Sequence, residues 1–284
     1  MRILILGAAG MVGRRLIDRL LTEKTVAGEA ITAIDAFDVV APEIAAPEGV
    51  DVDASAGDIA DAATVKALVK KRPDMIFHLA AIVSGEAEAD FDKGYRINQQ
   101  GMSYLLEAIR AEGENYRPRL VFTSSIAVFG APFEDKITDT FLAAPLTSYG
   151  TQKAICELLL NDYSRKGFVD GVGIRLPTIV VRPGKPNKAA SSFFSGIIRE
   201  PLAGEEAILP VADDVRHWVA SPASAVEFLM HAATMDTDVL GARRCLTMPG
   251  LSVTIDERRL FRRQELCRHY PRPHRRRGGG GLRT

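Results

Sequence analysis

Arg2-Ile3-Leu4-Ile5-Leu6-Gly7-Ala8-Ala9-Gly10-Met11-Val12-Gly13-Arg14-Arg15-Leu16 is the stretch on which the rest of the chain is read. Arg2 to Leu6 is a short apolar run without polar alternation, the pattern of a strand buried on both faces of a parallel sheet. Three glycines follow at three-residue spacing. The period then becomes helical through Val12, Leu16, Leu20 and Leu21. A second strand is expected over Ala30 to Ile34, ending in Asp35.

Each residue type in this unit has a physical reason to be there. Gly7 lets the chain turn sharply off the strand, and Gly10 lets the backbone approach a pyrophosphate with no Cβ in the way. Gly13 lets the helix pack close to the sheet. The helix N-terminus offers unpaired N–H groups and a positive dipole end to phosphates. Asp35 falls about 20 residues on, where a carboxylate accepts both ribose hydroxyls and repels a 2′-phosphate. The next residues, Ala36 and Phe37, supply no arginine to bind such a phosphate. The unit therefore predicts dinucleotide binding with NAD as the cofactor. Its GxxGxxG spacing, rather than GxGxxG, points to a particular branch of the fold.

With 284 residues, the chain is long enough for one large or two modest domains around a real core. Its 46% hydrophobic and 25% charged residues are those of an ordinary soluble protein. The formal net charge is zero but unevenly spread. Residues 257–284 hold ten Arg against two Glu, which leaves 26 basic and 34 acidic side chains in 1–256. A mildly acidic body argues against nucleic-acid binding. Cys156, Cys245 and Cys267 are few and lack metal spacing, so no metal is expected and a reducing cytoplasm suits them. No apolar run is long enough to span a membrane, and the N-terminal run fits a phosphate loop better than a signal peptide.

Val39 to Gly49 reads as a loop, followed by a strand over Val50 to Ala54 that ends near Gly57-Asp58. Asp58 either reaches an adenine edge or caps the helix Ala60 to Lys71; the two readings are even. Met75 to Ala81 is the fourth strand, with small residues at its end that would let a cofactor lie against the backbone. His78 reads as a core residue at that strand's end. A long helix is expected over Phe91 to Glu112, with Asn98 midway. Asn is unfavourable there by propensity, so a packing or hydrogen-bonding role is implied. Arg119 to Thr123 is the fifth strand and runs into Ser124-Ser125, at the carboxyl end where open α/β sheets bind ligands. Tyr149 and Lys153, four apart on a helix from Ser148 to about Lys166, share one face. Gly173 to Ile179 is a sixth strand.

From Val180 the texture changes to a proline-broken loop, a short helix (Ser191 to Arg199), the run Asp213 to Val219 and a helix from Pro222 to about Met235. The reading is an α/β, Rossmann-type doubly wound parallel sheet over 1–179, with a smaller substrate domain over 180–256.

Gly7-x-x-Gly10-x-x-Gly13, the terminal Asp35, His78-Leu79-Ala80-Ala81, Ser124-Ser125 and Tyr149-x-x-x-Lys153 together resemble an extended short-chain dehydrogenase/reductase of the NAD-dependent epimerase/dehydratase superfamily. The resemblance covers roughly residues 1–256. It departs at Leu6, where many relatives carry Thr. It implies NAD contacts from Gly7, Gly10, Met11, Val12, Gly13, Asp35, Asp58, Ile59, Leu79, Ala80, Ala81, Asn98, Tyr149, Lys153 and Pro177. Its register selects Ser125, five residues before Gly130, as the active serine. The later runs Arg175 to Lys188 and Asp214 to Val219 are similar to a branch that oxidises a small sugar acid to the 2-keto acid. A homodimer through the Tyr149 helix is a further implication, and a nucleotide-sugar epimerase or dehydratase, or a damaged cofactor-binding remnant, are the alternatives.

The chemistry can be reasoned from the residues. Removing a hydride from a secondary alcohol requires taking its hydroxyl proton. A free tyrosine titrates near pH 10, and Lys153 one turn away, with an oxidised nicotinamide nearby, would favour the phenolate. Ser125 would hold the substrate oxygen and donate to it as carbonyl character develops. A sugar-acid carboxylate needs a cation, and Arg182 and Arg216 are candidates, with Asn187 and His217 available for hydroxyls.

Residues 257–284 do not fit the rest. Arg258-Arg259, Arg262-Arg263, Arg275-Arg276-Arg277 and four consecutive glycines follow no helical or strand period. A basic binding arm and a disordered tail are two readings. A shifted reading frame, which would cut the substrate domain short, is preferred.

Overall fold

Leu4 and Leu6 face one layer of helices and Ile3 and Ile5 the other, and none of the four is more than 1% exposed. That double burial is what the N-terminal apolar run dictates for an inner parallel strand. The computed structural model describes residues 1–138, 140–181 and 189–257. Its strands are β1 (Arg2–Leu6), β2 (Ala33–Asp38), β3 (Asp51–Ala56), β4 (Met75–His78), β5 (Arg119–Ser125), β6 (Asp170–Leu176), β7 (Thr178–Ile179), β8 (Arg216–Ala220), β9 (Cys245–Thr247) and β10 (Leu251–Thr254). A small hairpin, Thr25–Val26 with Glu29–Ala30, stands apart.

The main sheet has seven strands in the order β3-β2-β1-β4-β5-β6-β9, all parallel. The chain runs outward from β1 to β3, then crosses back to β4. The strand order therefore reverses between β1 and β4, where a crevice opens at the carboxyl ends. The helices are α1 (Met11–Glu23), α2 (Ala62–Val69), α3 (Ser84–Ala89), α4 (Phe91–Gly94), α5 (Gly101–Ala111), α6 (Ser148–Arg165), α7 (Phe193–Leu202) and α8 (Pro222–Thr234). α1 and α8 cover one face of the sheet; α2, α5 and α6 cover the other.

The structure departs from the sequence reading at several places, each with a physical cause. The second strand begins three residues later than expected, because Glu29–Ala30 pairs back on Thr25–Val26 across a turn with positive φ at Ala27 and Gly28. Asp35 is therefore mid-strand beside Leu4, and Asp38 is the strand's last residue. Helix α2 is capped by Asp61, which accepts from the N–H groups of Ala63 and Thr64, so Asp58 is not the cap. The single helix expected over Phe91 to Glu112 is divided: a π-helical segment, Tyr95–Gln100, separates α4 from α5.

The boundary expected at residue 179 also gives way. α8 contributes Val226, Leu229 and Ala233 to the core beneath β1, and β9 pairs with β6 at the sheet edge. Only part of 180–256 forms a separate lobe. There β8 pairs with β7 and β10, and Phe194 and Ile197 of α7 make a small core with Ile255. The arginine- and glycine-rich run 258–284 lies outside the described residues.

Candidate active site

At the switch point the glycine loop is built as tightly as its spacing suggested. Gly7 has φ +92°, and a Cβ there would meet the Ala80 nitrogen at 2.6 Å. A Cβ on Gly13 would sit 2.2 Å from the Gly7 carbonyl, so Gly13 lets α1 close on the loop itself. Gly10 is different: the nearest atom to its ideal Cβ is the Gly7 oxygen at 3.3 Å, and the residue is exposed. Its missing side chain leaves room for a ligand rather than for protein. Helix α1 has no side-chain cap and no acidic residue in its first turn, so its positive end is open to an anion. Met11 and Val12 begin that helix, half-buried.

The carboxylate beside this loop is Asp38. It accepts the Ala9 N–H at 2.9 Å and the Val39 N–H at 2.7 Å, while the Phe37 carbonyl receives the N–H groups of Gly7 and Ala8. Asp35 is buried and committed elsewhere, 2.8 Å from Arg2 and 2.7 Å from Lys71. Asp35 is thus a correction to the sequence reading, which had placed the ribose carboxylate there. Gly7, Asp38, Gly57, Asp58, Ile59, Leu79, Ala80 and Ala81 line a cleft of about 130 Å³. Within it Asp58 accepts the Ala60 N–H and pairs with Arg96, which holds its carboxyl below the usual range. A wider open depression of about 650 Å³, lined by Glu23, Glu227 and His231, lies at the far end of α1 and is no part of this site.

Beyond the glycine loop, β5 and α6 meet. Thr147 caps α6 by accepting the Gly150 N–H, and a Cβ on Gly150 would strike the Ala127 carbonyl at 2.1 Å. The helix end is thereby pressed onto the turn after β5. Lys153 is 2% exposed; its Nζ donates to the Thr123 carbonyl at 2.8 Å and lies 4.7 Å from the Phe122 ring and 5.8 Å from the Tyr149 ring. Burial pushes Lys153 down to about 8, with Cys156 and Glu157 opposing. Ser125 is half-buried, and its hydroxyl oxygen accepts the Ala127 N–H at 3.1 Å. Ser124 is buried and donates to Glu157, so of the two serines Ser125 is the one presented to the crevice.

Asn98 sits in the π-helical segment, 1% exposed. It accepts the Ile82 N–H at 2.9 Å and donates to the Ile82 carbonyl at 3.3 Å and to Gln152 at 2.8 Å. It thus ties the wall after β4 to the helix carrying Tyr149 and Lys153. His78 is fully buried at the end of β4, edge-on to Phe122, with neither ring nitrogen partnered among the described residues. Burial pushes it down to about 3, so it is a neutral core residue. Pro177 is buried at the crossing from β6 to β7.

The sequence candidates for the substrate carboxylate fare less evenly. Arg182 and Asn187 lie outside the described residues. Arg216 is exposed and engages the Ser252 carbonyl and Glu257. His217 contacts the Thr178 hydroxyl at 2.7 Å and stacks on Phe194 at 4.3 Å. Sequence reasoning missed Asp38 and Glu157. A strand placed three residues later would have found the first; the second lies four residues past Lys153, on the same helical face.

A sheet built this way, with its polar groups gathered at the switch point, belongs to the class of doubly wound dinucleotide-binding proteins. Within that class the chain belongs to the NAD dependent epimerase/dehydratase family, whose model matches residues 3–243, and its cofactor is NAD. It is 48% identical over 261 residues to D-erythronate dehydrogenase from Cupriavidus necator, covering 89% of this chain and 78% of that protein. It is 42% identical over 268 residues to D-erythronate dehydrogenase from Haemophilus influenzae, covering 90% and 80%. A crystal structure of a nucleoside-diphosphate-sugar epimerase from Agrobacterium tumefaciens superposes with a TM-score of 0.88 at 58% identity, over 94% of this chain and 78% of that one. L-threonine 3-dehydrogenase from Trypanosoma brucei gives 0.79 at 27% identity, over 93% and 80%. Among the described residues no helix is long and apolar enough to cross a membrane, and no acidic, His or Cys group could hold a metal ion.

Proposed function

We propose that the protein oxidises the C2 hydroxyl of a small sugar acid, with D-erythronate giving 2-dehydro-D-erythronate as the first candidate. The observation that carries this reading is the 48% and 42% identity to two D-erythronate dehydrogenases across nine-tenths of the chain. The glycine loop, the uncapped α1 terminus and the space beside Gly10 fit a pyrophosphate, and Asp38 fits the ribose hydroxyls. When bound, NAD supplies the hydride acceptor.

Tyr149 is the base that takes the substrate's hydroxyl proton. Lys153, buried beside it, stabilises the phenolate form that Tyr149 must hold before it takes that proton. Ser125 donates to the substrate oxygen and holds it against Tyr149. Arg182, Asn187, Arg216 and His217 remain the proposed contacts for the carboxylate and the other hydroxyls. A cytoplasmic enzyme acting as a homodimer is the accompanying expectation.

A second reading is favoured by one observation, the 58% identity to a structure described as a nucleoside-diphosphate-sugar epimerase. An epimerase would recycle its NAD and release no net NADH. The experiment adds D-erythronate and NAD to the full chain and follows reduced nicotinamide at about 340 nm. Steady NADH formation that falls by about 10³ in Tyr149→Phe supports the dehydrogenase. No NADH, but interconversion of a sugar nucleotide, overturns it in favour of the epimerase. Affinity for NAD without turnover on either substrate would leave a cofactor-binding remnant.

A further inference from the structure

The helix that carries Tyr149 and Lys153 has a third polar group on the same face. Glu157 lies one turn beyond Lys153 on α6 and is 4% exposed. It accepts the Ser124 hydroxyl at 2.5 Å and two N–H groups of Arg175, at 2.7 and 2.9 Å. Ser124 on β5 and Arg175 on β6 are register partners, so one carboxylate joins two neighbouring strand ends to the helix. The Arg175 guanidinium in turn lies 5.0 Å from the ring of Phe129, in the turn after Ser125.

A buried ion pair is a poor source of stability, because its desolvation cost offsets its Coulombic gain and apolar replacements are often neutral or better. This pair sits where geometry is at a premium: directly behind Ser125 and one turn from Lys153. We propose that Glu157 is a positioning residue of this site, holding through Ser124 and Arg175 the end of β5 that presents Ser125, and keeping Lys153 charged. The inference rests on reading Tyr149, Lys153 and Ser125 as the reacting group.

The electrostatic part follows from what surrounds these side chains. Lys153 faces Cys156 and Glu157 from its own helix, His78 from β4 and the Thr123 carbonyl from β5. Glu157 meets Ser124 from β5, Arg175 from β6 and, close by, Cys245 from β9. His78 is neutral and burial raises both thiols, so Glu157 is the charge that favours the ammonium of Lys153 from this side. Removing the carboxylate therefore favours the neutral amine, whether Arg175 is kept or replaced.

The test uses the full chain with Glu157→Gln, the double variant Glu157→Gln/Arg175→Met, and Ser124→Ala. Two readouts are taken: the pH profile of kcat, and the titration of Lys153 followed by NMR of its ε-carbon, assigned with Lys153→Arg. In Glu157→Gln both the alkaline limb of kcat and the NMR midpoint move down by about one pH unit, and kcat falls about tenfold with KM for NAD unchanged. In the double variant the midpoint stays down, and kcat read below the alkaline limb stays low as well. Ser124→Ala lowers kcat with the midpoint unmoved. An unmoved Lys153 midpoint in Glu157→Gln overturns the charge role, and wild-type kcat in the double variant or Ser124→Ala overturns the positioning role. Should Glu157→Gln fail to fold, the double variant and Ser124→Ala still decide the latter. If the wild-type chain turns over no sugar acid, the substrate reading fails while the NMR titration still decides the role of Glu157.

Discussion

Asp35 and Asp38 share one strand, three residues apart, and their surroundings give them opposite jobs. Asp35 neutralises Arg2 and Lys71 at the buried start of the sheet, whereas Asp38 holds the Ala9 N–H of the glycine loop. Asp38→Asn should therefore weaken NAD binding about tenfold or more while the fold persists, since a neutral amide is a poorer acceptor for two ribose hydroxyls. Asp35→Asn should leave NAD affinity nearly unchanged and cost about 2 kcal/mol, because two half-exposed cations lose a buried partner. Calorimetric NAD titration and thermal melts of both variants check the pair, and the reverse pattern would return the ribose role to Asp35. Lys153 supplies the pH counterpart. Held near 8 by burial, it is charged below that pH and neutral above it. Activity should thus decline through about pH 8 on the alkaline side, and a profile still rising at pH 9 would refute that. The glycines, both serines and the Tyr–Lys pair were legible because each motif is local. The choice of aspartate was not, because it depended on where a strand starts, and a hairpin of residues with no strong turn signature moved that start.

The π-helical segment is the element most responsible for joining the two halves of the site. A plain helix over residues 91–112 would carry the same apolar stripe on either side, which is why periodicity alone reads it as continuous. The one local clue was Asn98, a poor helix former at a position where nothing nearby needs a cap. In the fold its side chain satisfies both backbone groups of Ile82 and reaches Gln152, next to Lys153. Gly94, just before the segment, lets the helices approach: a Cβ there would lie 2.5 Å from the Gln152 amide nitrogen. Asn98→Leu strands a buried N–H and a buried amide, so it should cost about 1–3 kcal/mol. It should also weaken NAD binding, because the wall formed by Leu79 to Ile82 loses its anchor. A melt combined with NAD titration separates this from simple destabilisation. Unchanged affinity in a folded Asn98→Leu chain would show that the wall stands without it.

At the scale of the whole molecule the sequence divides more cleanly than the structure does. Composition and the proline-broken loop mark a boundary near residue 180, yet the chain returns to the first domain twice after crossing it. Helix α8 lays Ala225, Val226, Leu229, Ala232 and Ala233 over the face built by Ile3, Ile5 and Leu20, and β9 adds the seventh strand. Neither return is encoded locally. The pattern of α8 announces an apolar face without naming its partner, and three residues, Cys245–Thr247, are too few for strand periodicity to register. The energetic consequence is large relative to the stability of a domain. Fully burying one Val or Leu contributes about 1.5–3 kcal/mol, so α8 as a whole contributes several, against a net stability of about 5–15 kcal/mol. A fragment ending at residue 179 would leave that face and the β6 edge open to water. It should therefore bind ANS, self-associate and lose its cooperative melt, even though it contains the whole glycine loop, Asp38, Tyr149 and Lys153. A fragment that melts cooperatively near the full chain's Tm and binds NAD equally well would mean that α8 and β9 are accessories. Otherwise the cofactor domain is completed only by segments that alternate along the chain with those of the small lobe, which makes the integrity of the later chain a condition for tight NAD binding.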